Sequence, residues 1–533
     1  MHPKKILQEL NRYKIGTCAE MIYRNALFYP DRETFIFGQT RRTFAEFNSR
    51  VNCLVNGLLS MGLKKGDVVG VLAWNSIEYL EVYGAAMKGG FIISPFNPRL
   101  NERELKYLVD YSTAKILFVG QELRDMAQKL TSAESCAVKC ISLGFSDQLM
   151  ISYDSLMTEF PESEPNVRTE ENDPIFIVYT SGTTGVPRGA VYTHQRFIED
   201  IKTYVMMTGI QPEDKFVMIM PLFHIGGAKI FWGYFYVGAS HVLLKFFQPE
   251  ETLRAVEEER ATDLHIVPTH LSAFFSIPDF KKYDLTSLKR MLYAASPMPL
   301  QLLKQGIDTW GQIFIQEYGS TETGPSVCFL RIEDHKALGR SDEDEKTLMS
   351  CGRPNLGVHV RIVDAADEDV EPYEVGEIIV QGNTMNEFWR KPLDTAEQLK
   401  NGWVYTGDLG HYDDRGYIYI VDRKKDMIIS GGENVFPREI EEILYKHPSV
   451  KEAAVIGVPD DYWVERVHAV IALKEGSCAT ADELIAYCTK MVARYKAPKS
   501  IEFMDSLPKN PAGKILKKDL REKYRPNRRQ NDI

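Results

Sequence analysis

The stretch from Ile175 to His194 carries the residue types best suited to phosphate chemistry. An apolar strand leads into Thr180-Ser181-Gly182-Thr183-Thr184-Gly185, and the basic residue Arg188 follows. Glycines let backbone N–H groups close on a phosphate chain, hydroxyls add donors, and a basic side chain offsets negative charge. The spacing and the terminal Lys-Ser/Thr pair of the G-x-x-x-x-G-K-[ST] loop are absent. The segment predicts a different nucleotide-phosphate loop, with a flexible Gly/Thr surface loop as the alternative.

Further segments with chemical character follow this loop in the chain. They are MPLFHIGG (220–227), LYAASPMPL (292–300), EYGSTETG (317–324), YTGDLG (405–410), DRKKDMIISGGENVFPREIE (422–441) and PKNPAGKILKKDL (508–520). With the loop, they resemble the ordered motifs of the adenylate-forming superfamily of acyl-CoA synthetases, luciferases and peptide-synthetase adenylation domains. The sequence departs from the family pattern at Arg188, where lysine is usual, and at Ala294, Ala295 and Ser296, where glycines are more common. Arginine keeps the charge but offers a planar fork in place of a compact ammonium.

The resemblance implies an ATP site built from several of these motifs. Residues 180–185 and Arg188 bind the phosphates, while Thr184 and Glu322 hold Mg²⁺, a hard cation that prefers oxygen ligands. Asp408 and Arg423 bind the ribose, and the ring of Tyr318 stacks on the adenine. The other residues that the resemblance assigns to the nucleotide are Ala295, Ser296, Pro297, Glu317, Gly319, Ser320 and Thr321.

The resemblance also assigns residues to two half-reactions. Lys514 enters the site for adenylation and stabilises charge on the carboxylate and the α-phosphate. Rotation about the hinge residue Lys425 then removes Lys514 and presents another face to the pantetheine arm of CoA. That face consists of Ser430, Gly431, Gly432 and Glu433. The nearby cations Lys517 and Lys518 are expected to be solvated surface charges.

The resemblance places His224 at the acyl pocket as a gate or wall. The other expected walls are Phe223–Gly227, Trp232, Val267–His270 and Tyr293–Ser296, with Gly319 at the floor. Several of these residues are bulky, and none offers a basic group to a second carboxylate. The pocket is therefore expected to take an apolar monocarboxylic acid of the aromatic, alicyclic or medium-chain kind.

The elements that position these residues alternate between strand and helix. The run VVGVLAW (68–74) predicts a strand, Asn75-Ser76 caps a helix, and FIISPFNP (91–98) predicts a second strand. Asn101 and Glu104 are spaced as a capping box at the start of another helix. This alternation predicts a parallel sheet with helices on both faces. Residues 355–423 instead show short runs typical of antiparallel hairpins, with a tight turn at Asp413–Gly416.

The predicted fold class is α/β with two domains. A large N-terminal adenylation domain, residues 1–424, holds the ATP and acyl sites and includes a β-rich part at about 355–423. A small hinged C-terminal α+β domain, residues 425–533, carries Lys514 and shows a helix from Pro437, two strands, and a helix from Ala481. A chain of 533 residues is several times longer than one typical domain, which agrees with this division.

Composition excludes several classes of protein. The chain has 64 Lys and Arg against 74 Asp and Glu, and a net charge of −10 gives no basic field for nucleic-acid binding. Its eight cysteines are scattered without a C-x-x-C pair, which is typical of a reduced, cytoplasmic protein and predicts no metal held by Cys or His. No apolar run has the length of a membrane-spanning helix, and no signal peptide is expected. The oligomeric state stays open, with a homodimer as one alternative.

The sequence thus predicts an AMP-forming acid–thiol ligase that uses ATP, Mg²⁺ and CoA. An acyl-adenylate forms with release of pyrophosphate, CoA then takes the acyl group with release of AMP, and the reaction is reversible. Two alternatives remain, a ligase that loads a separate carrier protein and a non-catalytic nucleotide-binding regulator. The absence of an attached carrier segment favours CoA over a carrier thiol. A regulator would be expected to lose Lys514, Glu322 or Asp408, and all three are present.

Overall fold

The computed structural model describes residues 12–132, 138–180, 187–339, 341–430, 433–460, 462–509 and 515–524, without the side chains of residues 342 and 343. Four β-sheets organise these residues. Two are large and mostly parallel, and two are smaller and mostly antiparallel. In the described part of the chain, no helix combines the length and the apolar character needed to span a membrane.

The first large sheet has eight strands and contains the predicted strand–helix alternation. In spatial order its strands are Glu387–Phe388, Arg188–Thr193, Pro174–Thr180, Ile92–Pro95, Val68–Leu72, Ile116–Gly120, Lys139–Leu143 and Ile151–Ser152. The strands from Pro174–Thr180 onward are parallel, and the first two pair antiparallel at one edge. The helices in this part of the chain are Ile77–Gly89, Glu102–Ser112, Arg124–Thr131 and Tyr153–Glu159.

Two helices of this sheet begin where the sequence predicts. The Ser76 hydroxyl accepts a hydrogen bond from the backbone N–H of Tyr79 at 3.2 Å. Asn101 and Glu104 each accept the other's backbone N–H at 3.0 Å, which is a complete capping box. The first amides of a helix have no partner within it, so these side chains supply the missing acceptors. Both predicted helix starts are confirmed.

The second large sheet has nine strands and lies beside most of the predicted site. In spatial order its strands are Arg353–Pro354, Gly324–Leu330, Phe314–Ser320, Arg290–Tyr293, Asp263–Ile266, Lys215–Met218, Ser240–Leu243, Glu33–Phe37 and Thr40–Thr43. The strands from Phe314–Ser320 to Glu33–Phe37 are parallel, with antiparallel strands at both edges.

Separate apolar clusters cover the two faces of the nine-stranded sheet. One contains buried residues of helix Ile225–Val237, and the other contains residues of helices Pro268–Phe275 and Leu300–Trp310. The remaining helices of this region are Cys18–Phe28, Phe44–Ser60, His194–Thr208, Pro249–Glu259, Ile332–His335 and Asp342–Lys346. The prediction of a sheet with helices on both faces is confirmed here, and the antiparallel edges are an addition.

The third sheet lies in the region predicted to form hairpins. Its strands are His359–Val363, Gly376–Gln381, Trp403–Tyr412, Leu399–Lys400 and Ile418–Arg423, and helix Pro392–Gln398 lies among them in the chain. Every pairing in it is antiparallel. At the predicted turn, the Asp413 carboxylate accepts hydrogen bonds from the backbone N–H groups of Arg415 and Tyr417, each at 2.9 Å. The antiparallel prediction is therefore confirmed.

The fourth sheet is formed by residues after Met427. Its strands are Glu433–Val435, Ile428–Ser430, Val464–Leu473, Val450–Asp460 and Ser500–Phe503. Helices Pro437–Tyr445, Ala481–Thr489 and Lys517–Glu522 belong to the same part of the chain. Two apolar clusters consist only of residues from this segment, so it has a core of its own. The predicted helix starts at Pro437 and Ala481 are confirmed.

The core holds histidines that stay uncharged. His335 is fully buried, its Nδ1–H donates to the carbonyl of Arg331 at 2.7 Å, and the hydroxyl of Tyr293 donates to Nε2 at 3.0 Å. The carbonyl contact makes Nδ1 the protonated nitrogen, and a neutral ring then accepts the Tyr293 hydroxyl at Nε2; this tautomer is assigned from the contacts. Burial lowers the pKa of His335 to about 4. Because the unfolded chain binds a proton near pH 6.5, the stability that His335 provides above that pH is lost toward pH 4.

We expect His335→Gln to flatten the loss of stability between pH 6.5 and pH 4. An amide can replace both hydrogen bonds but does not titrate, so about 1.4 kcal/mol per pH unit of dependence should disappear. The thermal-unfolding midpoint measured across this pH range tests the expectation. The exposed His359 provides the control, because His359→Gln should leave the pH dependence unchanged. Equal slopes for wild type and His335→Gln would contradict the neutral assignment.

Candidate functional site

Several of the predicted site residues follow strands that end at one edge of the nine-stranded sheet. The strands Lys215–Met218, Asp263–Ile266, Arg290–Tyr293 and Phe314–Ser320 are neighbours and parallel, so their carboxyl ends share that edge. The segments that follow them contain His224, Val267–His270, and Ala295, Ser296 and Pro297. Ligands of open α/β sheets bind at such carboxyl edges. The topology therefore brings together motifs that are far apart in the sequence.

Ala295 has an unusual backbone conformation for its residue type. Its φ is +71°, in the left-handed region that glycine adopts without penalty. An alanine there carries strain of about 1 kcal/mol or more. The strain accounts for the preference for glycine that the family motif shows at this loop. The present chain has alanine there despite the strain.

Asp408 is the centre of a polar cluster that joins two sheets. It lies opposite Arg423 on paired antiparallel strands, and the two side chains form an ion pair at 2.9 Å. The hydroxyl of Tyr318 donates to the second carboxylate oxygen of Asp408 at 2.8 Å. Asp408 is buried, and its charge is the main cause of the raised pKa of Arg423. The predicted ribose pair and the predicted adenine-stacking tyrosine are thus in direct contact.

A tight hairpin fixes the backbone around Glu322. The Ser320 hydroxyl accepts hydrogen bonds from the N–H groups of Glu322 and Thr323, each at 3.2 Å. The carbonyl of Thr321 accepts from the Tyr192 hydroxyl at 2.6 Å, and the carbonyl of Glu322 accepts from the N–H of Met385 at 2.9 Å. Among the described residues, no hydrogen bond or ion pair engages the Glu322 carboxylate, whose charge helps to raise the pKa of Arg423.

Gly319 is required by the packing of the same hairpin. A Cβ atom at this position would lie 2.3 Å from the carbonyl oxygen of Gly324. Such a distance is far below van der Waals contact, so a side chain would push the two strands apart. Close packing of the hairpin therefore explains why residue 319 is a glycine. Its place at the floor of the acyl pocket stays a prediction.

Glu317 is placed differently from the prediction that groups it with the nucleotide. Its carboxylate is buried and accepts hydrogen bonds from the Lys229 ammonium at 2.6 Å and from the Ser326 hydroxyl. Successive side chains of a strand point to opposite faces, so Glu317 faces helix Ile225–Val237 while Tyr318 faces Asp408. Because side chains alternate along the strand, Glu317 and Tyr318 face opposite sides although they are adjacent in one motif.

Lys229 connects Glu317 to a larger buried network that the sequence analysis missed. Its Nζ lies 3.8 Å from a carboxylate oxygen of Asp200 and 4.5 Å from the ring centre of Tyr204. Burial raises the pKa of Asp200 to about 6, although the charge of Lys229 opposes the shift. A single lysine within the apolar helix IGGAKIFWGYFYV is the signal that could have pointed to this network, because a fully buried lysine needs a partner.

Arg188 makes contacts within the protein that the prediction of phosphate binding does not include. It is buried, its Nη2 donates to the side-chain oxygen of Gln398 at 2.9 Å, and its guanidinium lies 4.3 Å from the ring centre of Phe388. Arg188 pairs with Thr180 across the hairpin that flanks the predicted phosphate loop. The predicted residues Ser181, Gly182, Thr183, Thr184 and Gly185 lie outside the described residues. Phosphate binding by Arg188 stays a prediction.

The residues expected to line the acyl pocket differ in where the structure places them. His224 precedes helix Ile225–Val237, and its pKa is lowered to about 4, mainly by burial and further by the charge of Arg99. The ring of Trp232 is instead enclosed by Phe47, Phe231 and Phe235 in the apolar core.

Tyr293 also packs away from the side of the sheet that His224 approaches. It belongs to the opposite apolar cluster from Leu292, its strand neighbour, and donates to His335. The contacts of Tyr293 and Trp232 are core contacts, which corrects their expected role as pocket walls. The alternation of side chains along a strand explains the position of Tyr293.

The predicted hinge follows directly after the Asp408–Arg423 pair. Lys425 and Glu433 are exposed and Ser430 is buried, whereas Gly431, Gly432 and Lys514 lie outside the described residues. Two polar contacts flank the hinge: the Arg438 N–H donates to Asp422 at 2.9 Å, and Arg521 pairs with Asp426 at 2.6 Å. A movement about Lys425 would have to rearrange the Arg438–Asp422 contact, whereas Asp426 and Arg521 both follow the hinge and would move together.

Lys517 does not behave as the solvated charge that the sequence predicts. Its ammonium forms an ion pair with Glu441 at 2.8 Å, and the side chains of both partners are mostly buried. Lys518 is exposed, as predicted. The helix Lys517–Glu522 packs against strand Val450–Asp460, so neighbouring positions on it have different surroundings.

Comparisons with known proteins agree with this arrangement. The family model described as AMP-binding enzyme matches residues 22–388, and the AMP-binding enzyme C-terminal domain matches residues 439–514. The feruloyl-CoA synthase of an Amycolatopsis species is 35% identical over 503 residues, which cover 94% of this chain and 98% of the relative. The fatty acid–[acyl-carrier-protein] ligase ScoC of Streptomyces coeruleorubidus is 31% identical over 526 residues, covering 97% and 98%.

A solved structure extends the comparison to three dimensions. The crystal structure of the anthranilate CoA ligase AuaEII in complex with anthranoyl-AMP superposes with a TM-score of 0.87. The two chains are 25% identical, and the match covers 97% of this chain and 98% of the other. The predicted α/β fold class is confirmed by this likeness and by the sheets described above.

We expect Glu317→Gln to destabilise the protein by about 3 kcal/mol, because Lys229 would remain buried without its close counter-charge. The double variant Glu317→Gln with Lys229→Met should recover most of the loss, since it removes the charge together with its partner. Chemical denaturation of wild type, of the single variants Glu317→Gln and Lys229→Met, and of the double variant tests the expectation. If the double variant lost as much stability as the two single changes added together, the ion pair would not be the reason for the burial of Glu317.

Proposed function

The chain belongs to the family of AMP-binding enzymes and is an AMP-forming acid–thiol ligase, and from this premise we propose that it joins an apolar monocarboxylic acid to CoA. The resemblance inferred from the ordered motifs is thereby confirmed at the level of the family. The observation that carries the proposal is the cluster of Tyr318, Asp408 and Arg423 beside Glu322, because it places a ring, a carboxylate and a cation of the motifs at one location.

The proposed nucleotide site uses this cluster. Asp408 accepts hydrogen bonds from the ribose hydroxyls, Arg423 keeps its carboxylate ionised and oriented, and Tyr318 offers its ring to the adenine. The hydrogen bond from Tyr318 to Asp408 at 2.8 Å supports the idea that one rigid unit positions both parts of the nucleoside. The loop of residues 180–185 and Arg188 then serve the phosphates.

The residues also fit a Mg²⁺ ion. The Glu322 carboxylate has no hydrogen-bond or ion-pair partner among the described residues, its backbone is fixed on both sides, and an oxygen ligand is what a hard cation requires. We propose that Glu322 and Thr184 hold the ion. When bound, Mg²⁺ supplies positive charge that offsets the phosphate oxygens of ATP.

The chemistry proceeds in two steps. A carboxylate is a poor electrophile, so one of its oxygens first attacks the α-phosphorus of ATP, which forms the acyl-adenylate and releases pyrophosphate. The thiol sulfur of CoA then attacks the acyl carbon, loses its proton, and displaces AMP. The protein positions the reactants and stabilises charge, and no protein nucleophile is needed. The product keeps a high-energy thioester, so both steps are reversible.

We propose that the part of the chain after Arg423 rotates between the steps. The core formed only by residues after Met427 supports its movement as a unit, and Lys425 is exposed at the point of connection. Lys514 serves the first step, and the face containing Ser430, Gly431, Gly432 and Glu433 serves the second. Hinge rotation of this kind is an ordinary mode of domain movement.

The class of acid and the thiol are the finer parts of the proposal. The names of the two CoA ligases compared above refer to feruloyl and anthranilate groups, which supports an aromatic acid. An alicyclic or medium-chain acid would also suit an apolar pocket. The relative named as an acyl-carrier-protein ligase keeps a carrier thiol as the second candidate acceptor. A direct comparison of CoA with a pantetheinylated carrier distinguishes the two acceptors.

We expect purified protein to form AMP and pyrophosphate from ATP and an apolar monocarboxylate, and to form the thioester when CoA is added. Glu322→Gln and Asp408→Ala should each lower the adenylation rate by ~10²–10³, through loss of a metal ligand and of the ribose acceptor. Asp414→Ala, at an exposed position in the turn between strands Trp403–Tyr412 and Ile418–Arg423, is the matched control and should keep the wild-type rate. Release of ADP and phosphate, or no turnover with any acid of a wide panel, would refute the assignment.

The two half-reactions should be separable by mutation. Lys514→Ala should lower acyl-adenylate formation severely but still convert supplied acyl-adenylate and CoA to thioester. Gly431→Leu should do the reverse, because a side chain would obstruct the pantetheine arm, and Lys425→Pro should also spare the first step by restricting φ. The exposed Lys518 provides the control, since Lys518→Ala should leave both steps unchanged. Single-turnover kinetics of each step tests this, and equal loss of both steps in every variant would favour one static site.

A further inference from the structure

The side chain of Asn75 connects the two large sheets at their carboxyl edges. Asn75 lies just beyond the end of a strand of the eight-stranded sheet and is 3% exposed. Its Nδ2 donates hydrogen bonds to the backbone carbonyls of Met220 at 3.0 Å and Leu244 at 3.2 Å, and its Oδ1 accepts one from the Leu222 N–H at 2.9 Å. These partners all follow strands of the nine-stranded sheet. One side chain therefore holds segments of both sheets together.

An amide is the group that this position requires. Its nitrogen has two donors and its oxygen is an acceptor, and here two carbonyl oxygens face the nitrogen while an N–H faces the oxygen. The reverse orientation of the amide would satisfy none of the three contacts, so the contacts determine the assignment. An ionised carboxylate has no donor, and a hydroxyl has only one. Asn75 is thus matched to this junction, whereas Ser76 caps the helix that follows.

Leu222 is held at both ends of its backbone. Its N–H donates to Asn75, and its carbonyl accepts a hydrogen bond from the hydroxyl of Tyr83 at 2.6 Å. Tyr83 is fully buried and belongs to helix Ile77–Gly89, which contacts the eight-stranded sheet. Both backbone groups of Leu222 therefore depend on side chains from the other half of the N-terminal region.

The position of this segment determines where the next helix begins. The His224 N–H donates to the Pro221 carbonyl at 3.2 Å, and helix Ile225–Val237 starts one residue later. A Cβ atom at Gly227 would lie 2.3 Å from the same carbonyl oxygen, so the first turn of the helix packs directly on Pro221. Because packed groups cannot move independently, a shift of residues 220–222 would move His224 and the first turn as well.

Open space adjoins the same turn of the helix. No described heavy atom outside the helix backbone lies within 4 Å of the position that a Cβ atom of Gly226 would occupy. The turn is therefore closely packed at Gly227 and open at Gly226. An open side at the carboxyl edge of the sheet agrees with the place beside His224 that the resemblance gives to the acid.

We propose that Asn75 is a positioning residue for the acid. Through its three hydrogen bonds, and together with Tyr83, it holds residues 220–224 where they form one wall of the acyl pocket. Asn75 acts through the segment that it holds and makes no contact with the acid itself. The proposal rests on the proposed function, because the binding of an acid beside His224 is part of that function.

The proposal predicts that the two substrates respond differently to loss of Asn75. The proposed nucleotide cluster of Tyr318, Asp408 and Arg423 is held by contacts of its own, at 2.8 Å and 2.9 Å. Two of these residues lie on the third sheet, and the partners of Asn75 lie in other segments. Displacement of residues 220–224 should therefore weaken the binding of the acid and leave the binding of the nucleotide intact.

The main test uses Asn75→Leu, which keeps a side chain of similar size and removes every polar atom. Pyrophosphate release is measured with the apolar monocarboxylate that has the highest kcat/KM in a panel. We expect kcat/KM for this acid to fall by roughly tenfold to a hundredfold, mostly through a higher KM, because a misplaced wall holds the acid less well. The KM for ATP at saturating acid, and the Kd of AMP from equilibrium dialysis, should stay within about twofold of wild type.

Two further variants make the comparison specific. Tyr83→Phe removes only the hydrogen bond to Leu222 and should raise the KM for the acid by roughly two- to tenfold. Asn25→Leu is the matched control, since the buried Asn25 donates to the carbonyl of Phe235 near the other end of helix Ile225–Val237. It should lower stability without changing the KM for either substrate. If Asn75→Leu does not fold, Tyr83→Phe decides the question.

The premise that this segment lines the acid site has its own variant. Gly226→Val places a side chain in the open space and should raise the KM for the acid but not the KM for ATP. An unchanged KM for the acid in Gly226→Val would show that the segment is not a wall of the pocket, and the proposal would then be wrong.

The remaining outcomes separate this proposal from the general function. Absence of AMP formation by wild type with every acid would refute the ligase assignment, and the proposal with it. Turnover by wild type, with an unchanged KM for the acid in both Asn75→Leu and Tyr83→Phe, would leave the ligase intact and overturn the positioning role. Equal increases in the KM for the acid and for ATP would also overturn it, because a general loosening of the fold would then be the cause.

Discussion

The arrangement of the site depends on the fact that parallel strands end at the same edge of a sheet. Four neighbouring parallel strands of the nine-stranded sheet lead into the segments that contain His224, His270, Ala295 and Glu322. These segments are distant in sequence, and only the shared edge makes them neighbours. The cost of this convergence is visible in the backbone, because Ala295 adopts a left-handed conformation and no side chain fits at Gly319. Local geometry is strained or restricted where several loops must meet.

A second constraint is that buried charges need partners, and it applies to the face of the nine-stranded sheet that helix Ile225–Val237 covers. Lys229 is fully buried in an apolar helix and is held by Glu317, with Asp200 nearby. The same ion pair fixes the strand whose next residue, Tyr318, contacts Asp408. The Lys229–Glu317 pair therefore stabilises one face of the strand and helps to orient the Tyr318–Asp408 contact on the other face.

The sequence allowed much of the fold to be predicted, because its signals were local. The capping box at Asn101, the antiparallel region and the helix starts near the C-terminal sheet depend on residues within a few positions of each other. The errors share one cause, which is that they depend on more than neighbouring residues. The faces of Glu317 and Tyr293 follow from the alternation of side chains along their strands. The aromatic enclosure of Trp232 and the ion-pair partner of Lys517 come from residues distant in the sequence. A motif indicates which residues belong to a site, whereas the sheet decides which of them face it.

The position of the Asp408–Arg423 pair suggests how a ligase could move one part without disturbing the nucleoside. Both residues lie on adjacent strands of the third sheet, and their register and ion pair are internal to it. The chain leaves that sheet immediately after Arg423, so rotation about Lys425 would begin beyond the last residue that contacts Asp408, the proposed ribose ligand. The contact that must break, from the Arg438 N–H to Asp422, involves a flanking side chain instead, and the Arg521–Asp426 pair lies wholly beyond Lys425. An acyl-adenylate bound as proposed at Asp408 and Tyr318 would therefore stay in place while the second half-reaction is assembled around it.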